Sequence, residues 1–217
     1  NLDSTNIMQQ TITKMTMQEL IQVQSKFAAE NKKQALGIFN SIPMPKERDE
    51  EWRYTSIDKL DLQKFHLSEA RTKIFATKLI EHLVEKGIIL TDVNTAFEKY
   101  PLAQEYFLKS TKVDKDKLAA SNAAYFTNGI FLYVPKNTEI DEPIKVDFNF
   151  DGQSSILHNI IIAEPNSKVD FIEEYSNKEI NEEQLNCCVT EVFADGNSKI
   201  NFYHLNNWTK NVYNFTN

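Results

Sequence analysis

Cys187 and Cys188 are the two cysteines of the chain. Thiolate is the soft ligand that iron and zinc prefer, so metal or sulfur chemistry is the first possibility to weigh. Neighbours on a strand point to opposite faces, so this pair is poorly placed to share one metal or to close a simple disulfide. No C-x-x-C spacing exists. One cysteine is expected as a small buried hydrophobe and the other as a partly exposed thiol. His158 and His204 are the next candidate metal ligands. When the sequence is laid on itself with a shift of 31 residues, Glu173 takes the place of His204. Stacked positions of that kind gather side chains on one face, yet a histidine on an edge or outer face is ordinarily surface, and that is the expectation for both. His66 and His82 have no Cys or His near them in sequence and read as structural.

Glu50-Glu51, Glu173-Glu174 and Glu182-Glu183 have the composition of general acid and base pairs. Their places, at a bend, a strand end and a loop, suit solvated charge better. G-x-G-x-x-G, G-x-x-x-x-G-K-[ST] and G-x-S-x-G are all absent, and five glycines leave little to build a phosphate cradle. No catalytic or cofactor-binding residue is assigned, and the chain is expected not to be an enzyme. Trp52, Arg53 and Tyr54 form the densest group of large side chains in the front half; they suit the seam where a helical segment docks on a sheet. With Trp208 they are the interface or docking candidates.

These residues depend on the elements that carry them. Asn137-Thr138-Glu139-Ile140-Asp141, Asn166-Ser167-Lys168-Val169-Asp170 and Asn197-Ser198-Lys199-Ile200-Asn201 recur 29 and 31 residues apart. Each copy has an apolar run, a corner Asn that tolerates positive φ, and a second alternating run. Such a unit cannot bury its apolar face alone and must stack on its neighbours, the signature of a β-solenoid. Strands are expected near 130–134, 138–140, 144–150, 157–163, 168–174, 187–194, 198–205 and 211–216, with a turn at Asn128-Gly129 and an exposed loop over 177–184. Helices are expected over 17–40, over 68–86, as two short pieces over 93–109 with Pro101 opening the second, and over 114–121. The fold class is therefore α+β in sequence order: an N-terminal helical region with linker over 1–121, then the front part of a parallel β-helix over 122–217. Val212-Tyr213-Asn214-Phe215 reads as a strand in mid-repeat without a polar cap, so a truncated solenoid, or an edge covered by another chain, is expected.

A net charge of -7 and a pI near 5.2 supply no basic stripe, so nucleic acid is not an expected partner. No stretch approaches the ~20 apolar residues of a membrane span, and the opening residues lack the pattern of a secretion signal. The cytoplasm is the expected location.

Pro43-Met44-Pro45-Lys46 leading to Glu50-Glu51-Trp52-Arg53-Tyr54-Thr55-Ser56-Ile57 resembles the N-terminal signature of the SufD family. Asn128 to Asn137 with Pro143-Ile144 resembles the entry into the β core of the related SufB and SufD proteins. Asn186 to Glu191, with Asn207 to Asn214, is similar to the same core, and its Trp-x-x-Asn-Val-Tyr-Asn portion is closer to SufB. The resemblance implies a scaffold subunit of the SufBCD iron–sulfur cluster assembly complex, SufD-like, with SufB-like and the ATPase SufC-like partners, or a homodimer. A SufB-like scaffold is the alternative, and a carbohydrate-active β-helix is the rival from another class. The implied fold is an N-terminal helical region and a right-handed parallel β-helix. The family's Cys-x-His-type element lies beyond residue 217, so no cluster ligand carries over onto this chain. No cofactor is expected in this stretch, the cluster residing transiently on the whole complex.

Overall fold

The structure, a computed structural model, describes residues 25–46, 48–55, 57, 59–68, 71–75, 83 and 85–217. Helix α1 (Lys26–Ser41) is opened by Ser25, whose Oγ accepts from the Ala28 amide. It corresponds to the expected helix over 17–40, of which 17–24 lie outside the described residues. Helices α2 (Val93–Lys99) and α3 (Pro101–Tyr106) flank Tyr100, with Pro101 in the first turn of α3, where its missing N–H leaves no ladder bond unmade. Helix α4 (Lys117–Tyr125) starts at Asp116, whose Oδ1 accepts from the amides of Leu118 and Ala119. It runs four residues past the expected 114–121 because the run Leu118-Ala119-Ala120 continues through Ala123-Ala124, all strong helix formers.

Among the described residues, nine strands follow a two-sheet plan. The first sheet has the order β2 (Ile89–Asp92), β3 (Ile130–Val134), β5 (Ser155–Ala163), β7 (Gln184–Ala194), β9 (Val212–Thr216). The second has the order β1 (Arg71–Phe75), β4 (Ile144–Asn149), β6 (Lys168–Ser176), β8 (Lys199–Asn207). From β3 onward the chain crosses to the other sheet at every connection, and each strand pairs in parallel with the next one of its own sheet. β1 and β2 close the first edge of each sheet in antiparallel pairing with β4 and β3.

The strand β1 overturns part of the helix expected over 68–86. Arg71-Thr72-Lys73-Ile74-Phe75 is rich in β-branched and aromatic residues, and β4 offers it an unpaired ladder edge. Residues 76–82 and 84, including His82, lie outside the described residues. Asn128-Gly129 is not a turn either: Asn128 already pairs with Leu157, and the chain runs straight into β3.

The repeat seen in sequence is the register of the ladders. Phe131 lies opposite Ile160, Ile161 opposite Val192 and Val169 opposite Ile200, which are offsets of 29, 31 and 31 residues. Asn137, Asn166 and Asn197 share a φ of 58° and form a column, Asn166 Nδ2 donating to Asn137 Oδ1 at 3.1 Å and Asn197 Nδ2 to Asn166 Oδ1 at 2.7 Å. Asn is the residue that adopts this left-handed conformation at least strain apart from Gly. Asn166→Ala is therefore expected to lower stability by about 1–2 kcal/mol, and Asn166→Gly by less, measured by thermal unfolding. Equal stability of the alanine variant and the parent would show that the corner is not under this constraint.

Three layers result. Helices α1 and α4 cover the outer face of the first sheet through Ala28, Phe39, Phe97, Phe126, Ile156 and Cys187. The inner faces of the two sheets enclose a second core that includes Leu132, Val146, Phe148, Leu157, Val169 and Phe171. β5 is covered on both faces, and all nine of its residues are buried, whereas β6 alternates buried and half-buried positions.

Candidate functional site

Between the sheets the character of the core changes along the stack. Around β3 and β4 it is hydrocarbon, built of Ile130, Leu132, Val134, Val146 and Phe148. Two ladder steps further on it is polar. Parallel register sets Asn159 level with Thr190, Leu157 with Cys188, and Glu173 with His204. Asn159 Nδ2 lies 3.0 Å from Glu173 Oε2, 3.2 Å from both Tyr175 Oη and Thr190 Oγ1, and 3.6 Å from Cys188 Sγ. Tyr175 Oη and Cys188 Sγ are 3.0 Å apart, and His204 Nδ1 donates to Glu173 Oε1 at 2.5 Å. A cleft of about 220 Å³, lined by Glu173, Cys188, Thr190, Phe202 and His204, opens beside this group.

The electrostatics keep protons on these atoms. Burial pushes the Cys188 thiol well above its ordinary range, and the nearby Glu173 adds to the effect. Burial does the same to the Tyr175 phenol, followed by the influence of Cys188 and Glu173. The hydrogen bond to Glu173 raises His204 above its ordinary 6.5, against the opposing effect of partial burial. One buried carboxylate is thus ringed by a thiol, a phenol, a hydroxyl, an amide and an imidazole. The arrangement can orient and share protons, and it holds Cys188 as a thiol rather than a thiolate nucleophile.

Cys187 lies on the other face of β7, against α4, with Sγ 3.9 Å from the Leu118 carbonyl oxygen. Burial pushes its thiol up to about 12. The expected division of the two cysteines between opposite faces is what the strand imposes, but the expectation of one partly exposed thiol is corrected. Both are buried, because the second sheet covers Cys188 and a helix covers Cys187. His158 is likewise not on an outer surface. It is fully buried on β5, between the sheet and the helical layer, with Nδ1 2.8 Å from Asn122 Oδ1 and Nε2 3.0 Å from Glu191 Oε2. His204 is half-buried on β8. Among the described residues, no three His, Cys, Asp or Glu side chains stand so as to hold a metal ion.

Of the acidic pairs, Glu50 and Glu51 are exposed, Glu174 pairs with Lys145 at 2.6 Å, and Glu183 bonds Lys64 and the Tyr213 hydroxyl. Glu173 is the correction: at 1% exposure it is not solvated charge. The Trp52 ring lies 6.1 Å from Phe215 on β9, at the rim of a groove of about 640 Å³ that also contacts Lys115, Asp116 and Cys187. Arg53 stays near Glu50, and Tyr54 is 88% exposed. Trp208 packs against Phe150 at 5.2 Å and Tyr175 at 6.1 Å, and donates to Asn206. Sequence reasoning missed Asn159, Tyr175, Thr190 and Glu191. The signal for Asn159 was a lone amide followed by Ile160-Ile161-Ile162 in a run long enough to be covered on both faces.

Two family descriptions match the chain. "SufBD protein N-terminal region" covers residues 71–146, and "SUF system FeS cluster assembly, SufBD core domain" covers 147–217. Among curated relatives, the "Iron-sulfur cluster assembly protein SufD" of Bacillus subtilis is 32% identical over 143 residues, 64% of this chain and 33% of the relative. An "Iron-sulfur cluster assembly SufBD family protein" of Staphylococcus epidermidis is 31% identical over 137 residues, 62% of this chain and 30% of the relative. One of Staphylococcus haemolyticus has the same identity and coverage. The chain spans about a third of the length of the curated relatives it matches.

Proposed function

Because the chain belongs to the SufBD family of iron–sulfur cluster assembly proteins, we propose that it acts as a non-catalytic, SufD-like scaffold in a cytoplasmic cluster-assembly complex, beside a SufB-like subunit and a SufC-like ATPase. The observation that carries this reading is the placement of the two thiols. They face opposite sides of β7, both are buried, and both are held protonated, so neither supplies the exposed thiolate that cluster building on a single chain needs. The Glu-x-Trp-Arg-Tyr-Thr element at Glu50 to Thr55 supports SufD over SufB. We read the alternation between two parallel sheets as successive coils of a β-helix, right-handed because parallel crossovers are so in nearly all proteins. A coil of this kind suits a scaffold, since its ladders fix side chains in register over a long distance. Among the described residues, no helix is long and apolar enough to cross a membrane.

Anaerobic incubation of the chain with ferrous iron and sulfide tests the proposal. The expected result is no stoichiometric cluster absorption on the chain alone, with Cys187→Ser and Cys188→Ser changing the unfolding midpoint rather than any assembly signal. A stoichiometric iron–sulfur chromophore that either substitution abolishes would refute it.

A further inference from the structure

Glu191 belongs to neither the interior cluster nor the cleft beside it, yet its carboxylate accepts five hydrogen bonds. Oε1 accepts from the Ser110 amide at 2.7 Å, the Ser110 hydroxyl at 2.8 Å and the Thr111 amide at 3.0 Å. Oε2 accepts from the Leu108 amide at 2.7 Å and from His158 Nε2 at 3.0 Å. Five donors saturate the roughly four lone-pair sites a carboxylate offers. Three of them are backbone amides of one short segment, which Leu108, at φ 57°, turns so that they converge. Converging amides of this kind form an anion-binding concavity. The walls are apolar: the Phe107 and Phe126 rings lie 4.7 and 6.0 Å from the His158 ring. Asn122 completes the back of the site. Its Nδ2 donates to the Leu157 carbonyl at 2.7 Å, which turns Oδ1 toward His158 Nδ1 and leaves Nε2 aimed at the carboxylate.

We propose that residues 107–111 are a carboxylate receptor whose resident ligand is the side chain of Glu191, and that this captured carboxylate latches the α3–α4 connection, and with it the helical layer, onto the first sheet. The ligand class is a small carboxylate, and the chain supplies its own. The segment spans the end of α3 and the approach to Asp116, which caps α4, so the latch fixes where α4 lies over Ile156 and Cys187. Burial alone would raise the Glu191 carboxyl, but hydrogen bonds from His158 and Ser110 together outweigh it and pull the carboxyl down to about 2, as expected of a site that selects the anion.

The test replaces the tethered ligand by a free one. In Glu191→Ala, hydrogen-exchange protection of the Ser110 and Thr111 amides is expected to fall roughly 100-fold relative to the parent. Potassium formate should restore it saturably, where potassium chloride at equal ionic strength does not, and neither salt should move the parent. Glu191→Gln, which fills the space but supplies one acceptor oxygen, should lose the same protection without rescue. If Glu191→Ala folds only in formate, the receptor is demonstrated directly. Wild-type protection at Ser110 and Thr111 in either variant, or formate acting equally on parent and variant, would overturn the proposal. So would a Glu191→Ala chain that fails to fold in formate while Glu191→Gln keeps the amides of residues 108–111 protected.

Discussion

Gly129→Ala is expected to lower stability by about 4 kcal/mol or more, a large part of the roughly 5–15 kcal/mol that holds a domain folded. A methyl group at this position would sit 1.9 Å from the carbonyl oxygen of His158 and 2.6 Å from its carbonyl carbon. Both contacts are with backbone, so no rotamer change relieves them; β3 and β5 would have to separate. They separate only by breaking the ladder. The His158 amide donates to the Asn128 carbonyl at 3.0 Å, and the Ile130 amide to Asn159 Oδ1 at 3.0 Å. Each lost bond leaves buried groups unsatisfied, at about 1–3 kcal/mol apiece. Equilibrium denaturation in urea measures the effect, and a variant within about 1 kcal/mol of the parent would mean that the strands approach less closely than described. Gly37 is the control. It sits on α1 with open space where a Cβ would go, so Gly37→Ala is expected to be neutral or slightly stabilising.

Gly129 also marks the boundary of what was legible in the sequence. Asn128-Gly129 has the composition of a tight turn, and local chemistry alone gives no way to tell that from a close approach between strands. The long-range order was far more readable. Offsets of 29 and 31 residues, set by Asn137, Asn166 and Asn197, are the ladder offsets, because in a parallel stack the sequence repeat and the pairing register are one quantity. The side chains at issue were placed less well. Alternation assigns a side chain to a face of its strand but does not say what covers that face. His158 and one of the two cysteines were therefore expected near water, although helices cover one face of the first sheet and the second sheet covers the other. Glu173 was hidden for the same reason. Its role follows from lying opposite His204, which the 31-residue shift already indicated, and from Asn159, whose partners sit on other strands. β1 was misread because helical spacing of Ile74 and Phe75 with later apolar residues competed with a vacant edge on β4, which only the assembled sheet provides.

Asn159→Asp isolates that interior cluster, because it exchanges a single NH₂ for an oxygen without changing shape. The aspartate keeps the acceptor for the Ile130 amide. Its second oxygen replaces the amide nitrogen that now stands 3.0 Å from Glu173 Oε2. Two carboxylates at that distance in a buried site do not both ionise, so the pair must bind a proton that the unfolded chain does not hold at neutral pH. The expected loss at pH 7 is about 3–4 kcal/mol, comparable to removing one member of a buried ion pair. Its pH dependence identifies the cause. A carboxyl whose folded pKa lies above its unfolded value of roughly 3.9 adds no penalty where both states are protonated, and a penalty that grows as pH rises above that value. The gap between variant and parent should therefore be smallest near pH 4 and widen toward pH 7, and more steeply than for Asn159→Leu, which removes the donor to Glu173 but adds no second carboxyl. Adding Glu173→Gln to Asn159→Asp swaps amide and carboxylate between the two strands and restores one donor facing one acceptor. Because the two side chains touch, their effects are not additive, and the double variant should recover most of the loss at pH 7. A loss that is flat with pH, or a double variant no more stable than Asn159→Asp alone, would show that Asn159 acts through packing rather than as the hydrogen-bond donor of the cluster.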